Sequence, residues 1–554
     1  MILNIIGPCY IEPMYLFSFI DILSHRRFIL CLTMLIGVVI LSPDIDLQLW
    51  LSNGDHGLNL YGAEAVIRGE KPYRDFAWLY GPLMLYYYGF FMKILGASIT
   101  SVLFGKFLLN LLCGLLIYLS LTKFIPPLMA MNGCVWFWLY SKGFFYTYNH
   151  AGGTLLILAL MHCLFTHILD PRKKAIYLGL AACFLLSLVK LNIGMFNLFG
   201  FIISIILNDK FLPHQSRKNN LTFYAGSFGV TLGIIAVSYA FFFLDSPVYV
   251  LKQSLQLFGN DVSYYYGTGV ADNLKKLFIL TLKDMTGPWQ NRVLSLVFLI
   301  SLLTIAREIF RAKTLPGPAK KFLAALAVTV FFYVLNLHEF AGSGIWFRMA
   351  WIEPAQILLT FLTIGFAAKN FQPLILSLLT TALALFLTLL VYSELNLIHM
   401  FKTTQARLLL PKTGIYICNG EPWAKVVTDT VSFLKANLAP DEKFLALPYD
   451  PIYYFLTNRV SPIRELALWK ALGFTEPQEK KIIKALEKKN VQWIVLSSRV
   501  LSDDPAFGRL GEDYCRLIGQ YIKAHFSEAA SFGDAAVPGG WIDHSIKILK
   551  RKIE

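Results

Sequence analysis

The sequence predicts a polytopic α-helical membrane protein of about eleven crossings that ends in a small soluble α/β domain. Three observations carry this. Hydrophobic residues make up 56% of the 554 positions and charged residues only 15%, where a soluble domain carries about 25% charge. Apolar runs of roughly eighteen residues, long enough to cross about 30 Å of hydrocarbon, recur as far as residue 393. Beyond Glu394 the composition turns polar, and short strand-like and helical runs replace the long apolar ones. One soluble core does not absorb that many apolar segments.

The elements follow in order. Met1 to Leu23 is apolar but broken by Pro8, Glu12, Pro13 and Asp21, and the basic cluster His25-Arg26-Arg27 follows it. A cleaved signal carries its positive charge first, so residues 1–27 read as a cytoplasmic or interfacial segment, or as the product of a start site placed upstream. The first crossing is 28–42, with Arg26 and Arg27 on the cytoplasmic side. In the outer loop 44–100, residues 56–70 form a short amphipathic helix, with Leu58, Tyr61, Ala65 and Ile67 opposite Glu64 and Arg68. Lys71 to Phe76 is a turn. The segment after Pro82 is short and rich in tyrosine, which suits a second in-plane helix at headgroup level.

That choice sets the topology of everything after it. With 83–95 in plane, spans 101–121, 124–146 and 153–169 bring Pro171-Arg172-Lys173-Lys174 to the inner side, as positive-inside bias requires. Counted as a span, 83–95 would put this cluster outside. Spans 176–189, 193–207, 221–244, 293–310, 322–337, 354–368 and 371–392 complete the module 28–393. The odd count leaves 394–554 outside. In this domain 443–447, 492–497 and 545–549 read as strands, and 423–438, 477–488 and 512–525 as helices.

A net charge of +15 raises nucleic acid as a partner. The positives lie in short loops, where they orient helices and meet anionic lipid, and no aromatic-interleaved basic patch occurs in a soluble segment. Nucleic acid is set aside. Eight cysteines show no metal spacing and no CxxC. Cys9, Cys31, Cys113, Cys134, Cys163 and Cys183 fall in or near apolar stretches as small hydrophobes. Cys418 and Cys515 lie in the tail, where an oxidising compartment would allow them to pair.

Polar groups gather at the outer ends of the spans. The first outer loop holds Asp44, Asp46, Asp55, His56, Glu64, Arg68, Arg74 and Asp75. A positioned carboxylate can deprotonate a hydroxyl, and fixed cations can hold a departing phosphate. Lys106, Lys142, Lys190, Arg292 and Arg348 all fall near outer ends. The bland alternative for each is a snorkelling side chain paired with a nearby acid.

Asp55-His56-Gly57, Ala63-Glu64-Ala65, Gly69 through Phe76 and Tyr80-Gly81-Pro82-Leu83 resemble the first outer loop of bacterial GT-C glycosyltransferases, such as protein O-mannosyltransferases and aminoarabinose transferases. The Val189-Lys190-Leu191-Asn192 turn and the tail segment Pro448 to Arg459 are similar to the corresponding regions of these proteins. The resemblance implies two juxtamembrane helices in the first loop, a catalytic acid on that loop and an outer soluble tail. It also implies a polyprenyl-phosphate-sugar donor, with a glycan, lipid or protein as acceptor, in the bacterial inner membrane. Those relatives carry adjacent Asp-Glu early in the loop, whereas this chain has Asp44-Ile45-Asp46 and Asp55-His56.

Asp55 is the favoured base and Asp46 the second; helix capping is the structural alternative for Asp55. Lys190 and Arg348, with Lys106 and Lys142 as further candidates, would hold the donor phosphate. His56, Asp75, Tyr80, Asn149 and His150 are candidate substrate contacts, although Asp75 equally suits ordering its turn with Arg74. The expected reaction is one inverting displacement. No metal constellation is evident, and a divalent cation held loosely between Asp and phosphate stays open. Rival readings are a ligase or polymerase using a diphosphate-linked donor, a lipid or glycan transporter, and a catalytically silent scaffold. A transporter would carry ionisable groups at mid-span.

Overall fold

The computed structural model describes residues 26–48, 51–140, 148–212, 217–243, 269–278, 289–310, 316–343, 346–367, 382, 406–418, 420–468, 470–498, 508–534 and 545–552. Most of the N-terminal segment, Lys142, much of the 245–291 loop and the 371–392 span lie outside the described residues. Among those described, six helices are long and apolar enough to cross a membrane. They belong to a helical bundle whose outward faces are apolar: Val39, Val237 and Leu303 are 65%, 71% and 71% exposed. Water would penalise such faces, while lipid tails match them.

The bundle begins with α1 (Arg26–Leu41) and a 3-10 turn, Ser42–Ile45, followed by β1 (Leu47–Gln48). Loop 44–100 then forms α2 (Asp55–Ile67) and α3 (Leu83–Leu95), the two helices expected there. Gly69 at φ +88° and Gly96 at φ +93° end them in backbone conformations that L side chains rarely adopt. The bundle continues through α4 (Ile99–Leu121), α5 (Pro127–Tyr140), α6 (Tyr148–Leu169), α7 (Lys173–Val189), α8 (Leu191–Phe211) and α9 (Arg217–Phe243). After α10 (Val270–Phe278) come α11 (Trp289–Phe310), α12 (Gly317–Asn336), α13 (His338–Ser343), a 3-10 turn at Trp346–Trp351, and α14 (Glu353–Ala367). Buried polar pairs join helices inside the bundle. Asn197 Nδ2 donates to Asn336 Oδ1 at 2.7 Å, and the Ser301 and Thr363 hydroxyls are 2.6 Å apart.

The tail is larger in sheet than the sequence patterns indicate. β2 (Ala406–Leu408) pairs antiparallel with β3 (Ile415–Ile417), and β3 pairs parallel with β1 of loop 44–100, Leu47 opposite Tyr416. After α15 (Glu421–Asn437), β4 (Phe444–Leu447) leads to α16 (Ile452–Thr457), α17 (Glu476–Lys488) and β5 (Trp493–Ser497). Then come α18 (Arg516–His525), β6 (Phe526–Phe532) and β7 (Ile546–Arg551). The strand order is β4-β5-β7-β6, with β4 and β5 parallel and the others antiparallel. β6 escapes the sequence reading because its alternate positions are small or polar and largely exposed. Cys418 and Cys515 are both free thiols, so the pairing that sequence allowed does not form.

Side-chain alternation sorts the sheet's two faces. Phe444, Ala446, Trp493 and Val495 join a core that continues into the membrane bundle. Leu445, Leu447 and Ile494 instead pack with Ile482, Leu486, Ile518 and Ile522 of α17 and α18 in a separate core. The tail is thus an α/β layer with one face of its own and one face shared with the rest of the protein.

α16 docks against α2 at Gly57, where an ideal Cβ would lie 2.4 Å from Ile452 N and 2.8 Å from its Cα. Elsewhere in a helix interior Ala is about 1 kcal/mol better than Gly. Here the neighbour is backbone and cannot rotate away. Gly57→Ala is expected to destabilise by about 1–3 kcal/mol, with amide hydrogen exchange rising selectively at 452–457. Unchanged exchange there, or a gain in stability, would remove this account of the docking.

Candidate functional site

Three turns converge through tight glycine contacts. Gly81 N–H donates to the Val189 carbonyl at 3.0 Å, and a Cβ on Gly81 would fall 2.0 Å from the Leu188 carbonyl oxygen. Only glycine lets loop 1 rest on the α7–α8 turn that presents Lys190. Likewise a Cβ on Gly153 of α6 would meet the Trp351 ring at 2.1 Å. These approaches bring the first turn of α6, the Lys190 turn and the Trp346–Trp351 segment together.

Glu339 organises the cations there. Its side chain is 4% exposed and lies 2.7 Å from Lys190 Nζ and 3.2 Å from Arg348 Nη1. Asn192 Nδ2 donates to its other oxygen at 2.6 Å. One carboxylate between two cations leaves that group with a net positive charge. Lys190 also sits 5.7 Å over the Trp351 ring, whose edge meets His150 at 5.1 Å. Lys106 as well as Lys190, Glu339 and Arg348 is within electrostatic reach of His150. Of the four expected phosphate ligands the structure holds Lys190 and Arg348 together on Glu339, while Lys142 lies outside the described residues.

The acids come from loop 1. Asp55 is the first residue of α2, behind an N-cap at Gly54. Its Oδ1 accepts a hydrogen bond from Tyr449 of the tail at 2.7 Å. Asp46 is exposed, and its carbonyl accepts from Tyr416 N at 2.7 Å, so strand pairing with the tail holds its backbone. His56 is fully buried. Ser52 N–H donates to its Nδ1 at 3.0 Å, which puts the ring proton on Nε2, 3.3 Å from the Gln48 amide. The Gln48 group facing that proton is then the carbonyl. The His56 ring meets Tyr148 edge-on at 5.0 Å, and Tyr148 is two positions before His150. Asp55 and the cation group thus flank one continuous set of contacts.

The remaining candidates divide. Asn149 is buried in the first turn of α6 between Tyr148 and His150. The Tyr80 carbonyl accepts from the Tyr73 hydroxyl, and its ring lies edge-on to Trp78 at 5.7 Å, so Tyr80 shapes the loop. Asp75 is exposed and orders its turn, accepting from Arg74 Nε at 2.8 Å and from Lys71 N at 2.7 Å. The Arg74 hydrogen bonds, against a small cost of burial, hold its carboxyl below the usual aspartate range.

Sequence reasoning passed over Glu339, Trp351 and Tyr449, although an acid close to basic residues at the end of an apolar run is a signal for the first. It also missed a joint between loop and tail. Lys412 Nζ pairs with the buried Glu64 and donates to the Phe455 carbonyl at 3.0 Å. Burial lowers the Lys412 pKa, and Glu64 opposes that. No group of three or more His, Cys, Asp or Glu that could hold a metal occurs among the described residues.

Comparison with solved structures places this architecture. The chain superposes on ArnT from Cupriavidus metallidurans bound to undecaprenyl phosphate with a TM-score of 0.52 and 13% identity, covering 94% of this chain and 97% of that one. It also superposes on the oligosaccharyltransferase AglB from Archaeoglobus fulgidus, in complex with an inhibitory peptide and a dolichol-phosphate. There the TM-score is 0.52 and the identity 12%, over 85% of this chain and 69% of AglB. No protein-family model matches the sequence, and no curated protein matches it. The fold is the one that ArnT and AglB share. Within that fold, the chain is a multi-pass helical membrane protein with small C-terminal sheets.

Proposed function

We propose that this protein is a glycosyltransferase that moves a sugar from a polyprenyl-phosphate-linked donor to an acceptor hydroxyl at the outer face of a bacterial inner membrane. The observation that carries the reading is the pair Lys190 and Arg348 gathered on Glu339, on a turn that Gly81 of the first loop touches. A net positive group at a membrane's outer face suits a lipid phosphate, because fixed cations stabilise the charge that grows on a leaving phosphate. The two GT-C neighbours, with undecaprenyl phosphate and dolichol-phosphate in their structures, support a donor of this class. About eleven crossings, a cytoplasmic N-terminus and an outer tail complete the proposal; the positive-inside distribution of Arg and Lys supports them.

In the proposed step Asp55 takes the proton from the acceptor hydroxyl. Asp46 is the alternative base. The acceptor oxygen forms a bond to the anomeric carbon as the bond from that carbon to the phosphate oxygen breaks. The electron pair leaves with the phosphate, which Lys190 and Arg348 hold, and the configuration inverts. His150, Asn149 and His56 line the path between acid and cations.

The test offers membranes containing this protein a panel of radiolabelled sugars on undecaprenyl phosphate, with the same sugars on undecaprenyl diphosphate as comparison. Transfer from a monophosphate donor to membrane acceptors is the expected result. Consumption of the diphosphate donors alone would replace this reading with the ligase or polymerase one. Consumption of neither would sink it.

A further inference from the structure

We infer that Tyr449, on the soluble tail, is a positioning residue for Asp55, so that the tail completes the active site of the bundle. The inference rests on the proposed role of Asp55 as base. The phenol hydroxyl donates to Asp55 Oδ1 at 2.7 Å across 394 positions of sequence, and Tyr449 is 3% exposed. A phenylalanine would fill the same volume, so what the hydroxyl adds is a directed bond to one carboxylate oxygen. A hydrogen bond to a charged acceptor is shorter and stronger than a neutral one, and it sets the rotation of the carboxylate.

The segment that carries Tyr449 is held firmly enough for this. Its neighbour Asp450 is 1% exposed and accepts from Asn53 Nδ2 at 3.1 Å and Ser497 Oγ at 2.6 Å. Ile452 N donates to the Asn53 carbonyl at 3.2 Å, two residues before Asp55. The same loop residue therefore anchors the tail segment on both sides of Pro451. Gly57 of α2 carries no Cβ to strike Ile452 where α16 rests on it. Among the described residues, the titratable groups that the contacts bring to this part of loop 1 include His56 on α2, Tyr449 and, through Asn53, Asp450 on the tail segment, and Tyr148 of α6 behind His56.

A donor to a carboxylate favours its charged form and lowers its pKa. If Asp55 is the base, transfer fails as pH falls through that pKa, and removing the phenol hydroxyl moves the acidic limb to higher pH. Tyr449→Phe in the full-length protein is assayed with the undecaprenyl-phosphate sugar that wild type consumes. The expected result is a kcat about ten-fold lower, KM within about two-fold, and an acidic limb roughly half to one pH unit higher. The limb's position does not depend on how much enzyme is folded, so a loss of abundance cannot imitate it. Ser497→Ala, which loosens the same segment through Asp450 and keeps the phenol, is expected to leave the limb in place.

An unmoved limb in Y449F, or an equal shift in S497A, would overturn the inference. Asp55→Asn separates the two levels. If D55N abolishes transfer and Y449F changes nothing, the positioning role fails alone. If D55N keeps wild-type transfer, the reading of Asp55 fails and takes this inference with it.

Discussion

Asp55→Asn is expected to lower the transfer rate roughly 10²–10⁴-fold, the range that a positioned general base contributes, while the protein remains folded and abundant. The substitution keeps the shape of the side chain, and an amide oxygen still accepts the Tyr449 hydrogen bond. It removes the charge and the proton affinity. Because Asp55 is only half-buried at the start of α2, losing its favourable interaction with the helix N-terminus costs about 0.3–1 kcal/mol. Activity should therefore collapse while the unfolding temperature barely moves. Asp46→Asn is the matched comparison, since the tail holds Asp46 by its carbonyl, which the substitution leaves intact. If D46N is the variant that loses transfer, the base is Asp46.

The second large effect concerns the cation group. Glu339→Ala leaves Lys190 and Arg348 facing each other without their shared carboxylate, and leaves the Asn192 amide without its acceptor. Breaking a buried ion pair from one side costs roughly 3–5 kcal/mol. Lys190 and Arg348 keep 20% and 24% side-chain exposure, so the low end, about 3 kcal/mol, is expected here. Thermal unfolding in detergent measures it. The double variant Lys190→Met with Glu339→Gln removes both charges at similar volume and should regain much of that stability. Transfer should stay lost in it, because one of the two cations proposed to hold the phosphate is gone. An E339A protein that unfolds at the wild-type temperature would mean that Glu339 does not hold the group together.

Much of this was legible in the chain. The membrane class follows from composition and run length, since an apolar run long enough to span hydrocarbon needs no partner to be recognised. The helices expected from local patterns over 56–70 and after Pro82 are found at Asp55–Ile67 and Leu83–Leu95, and the strands expected at 443–447, 492–497 and 545–549 at Phe444–Leu447, Trp493–Ser497 and Ile546–Arg551. β6 was not, because Ser527, Glu528 and Ser531 face outward on an edge and carry no apolar alternation. β1 spans two residues and β3 three, too few for any period to be visible.

The site divides along the same line. Sequence by itself determined which residue types stand near the ends of the apolar runs: Asp46 and Asp55 in the first loop, Lys106, Lys190 and Arg348 beyond it. Tertiary structure alone decided that Glu339 ties Lys190 to Arg348, that Gly81 seats the loop on the Lys190 turn, and that Tyr449 reaches Asp55. The physical reason is range. Helices and spans arise from contacts a few residues apart, so their pattern is written locally. A hydrogen bond across 394 positions, or a Cβ that would strike a distant backbone, depends on how the whole chain packs, and leaves no period in the sequence.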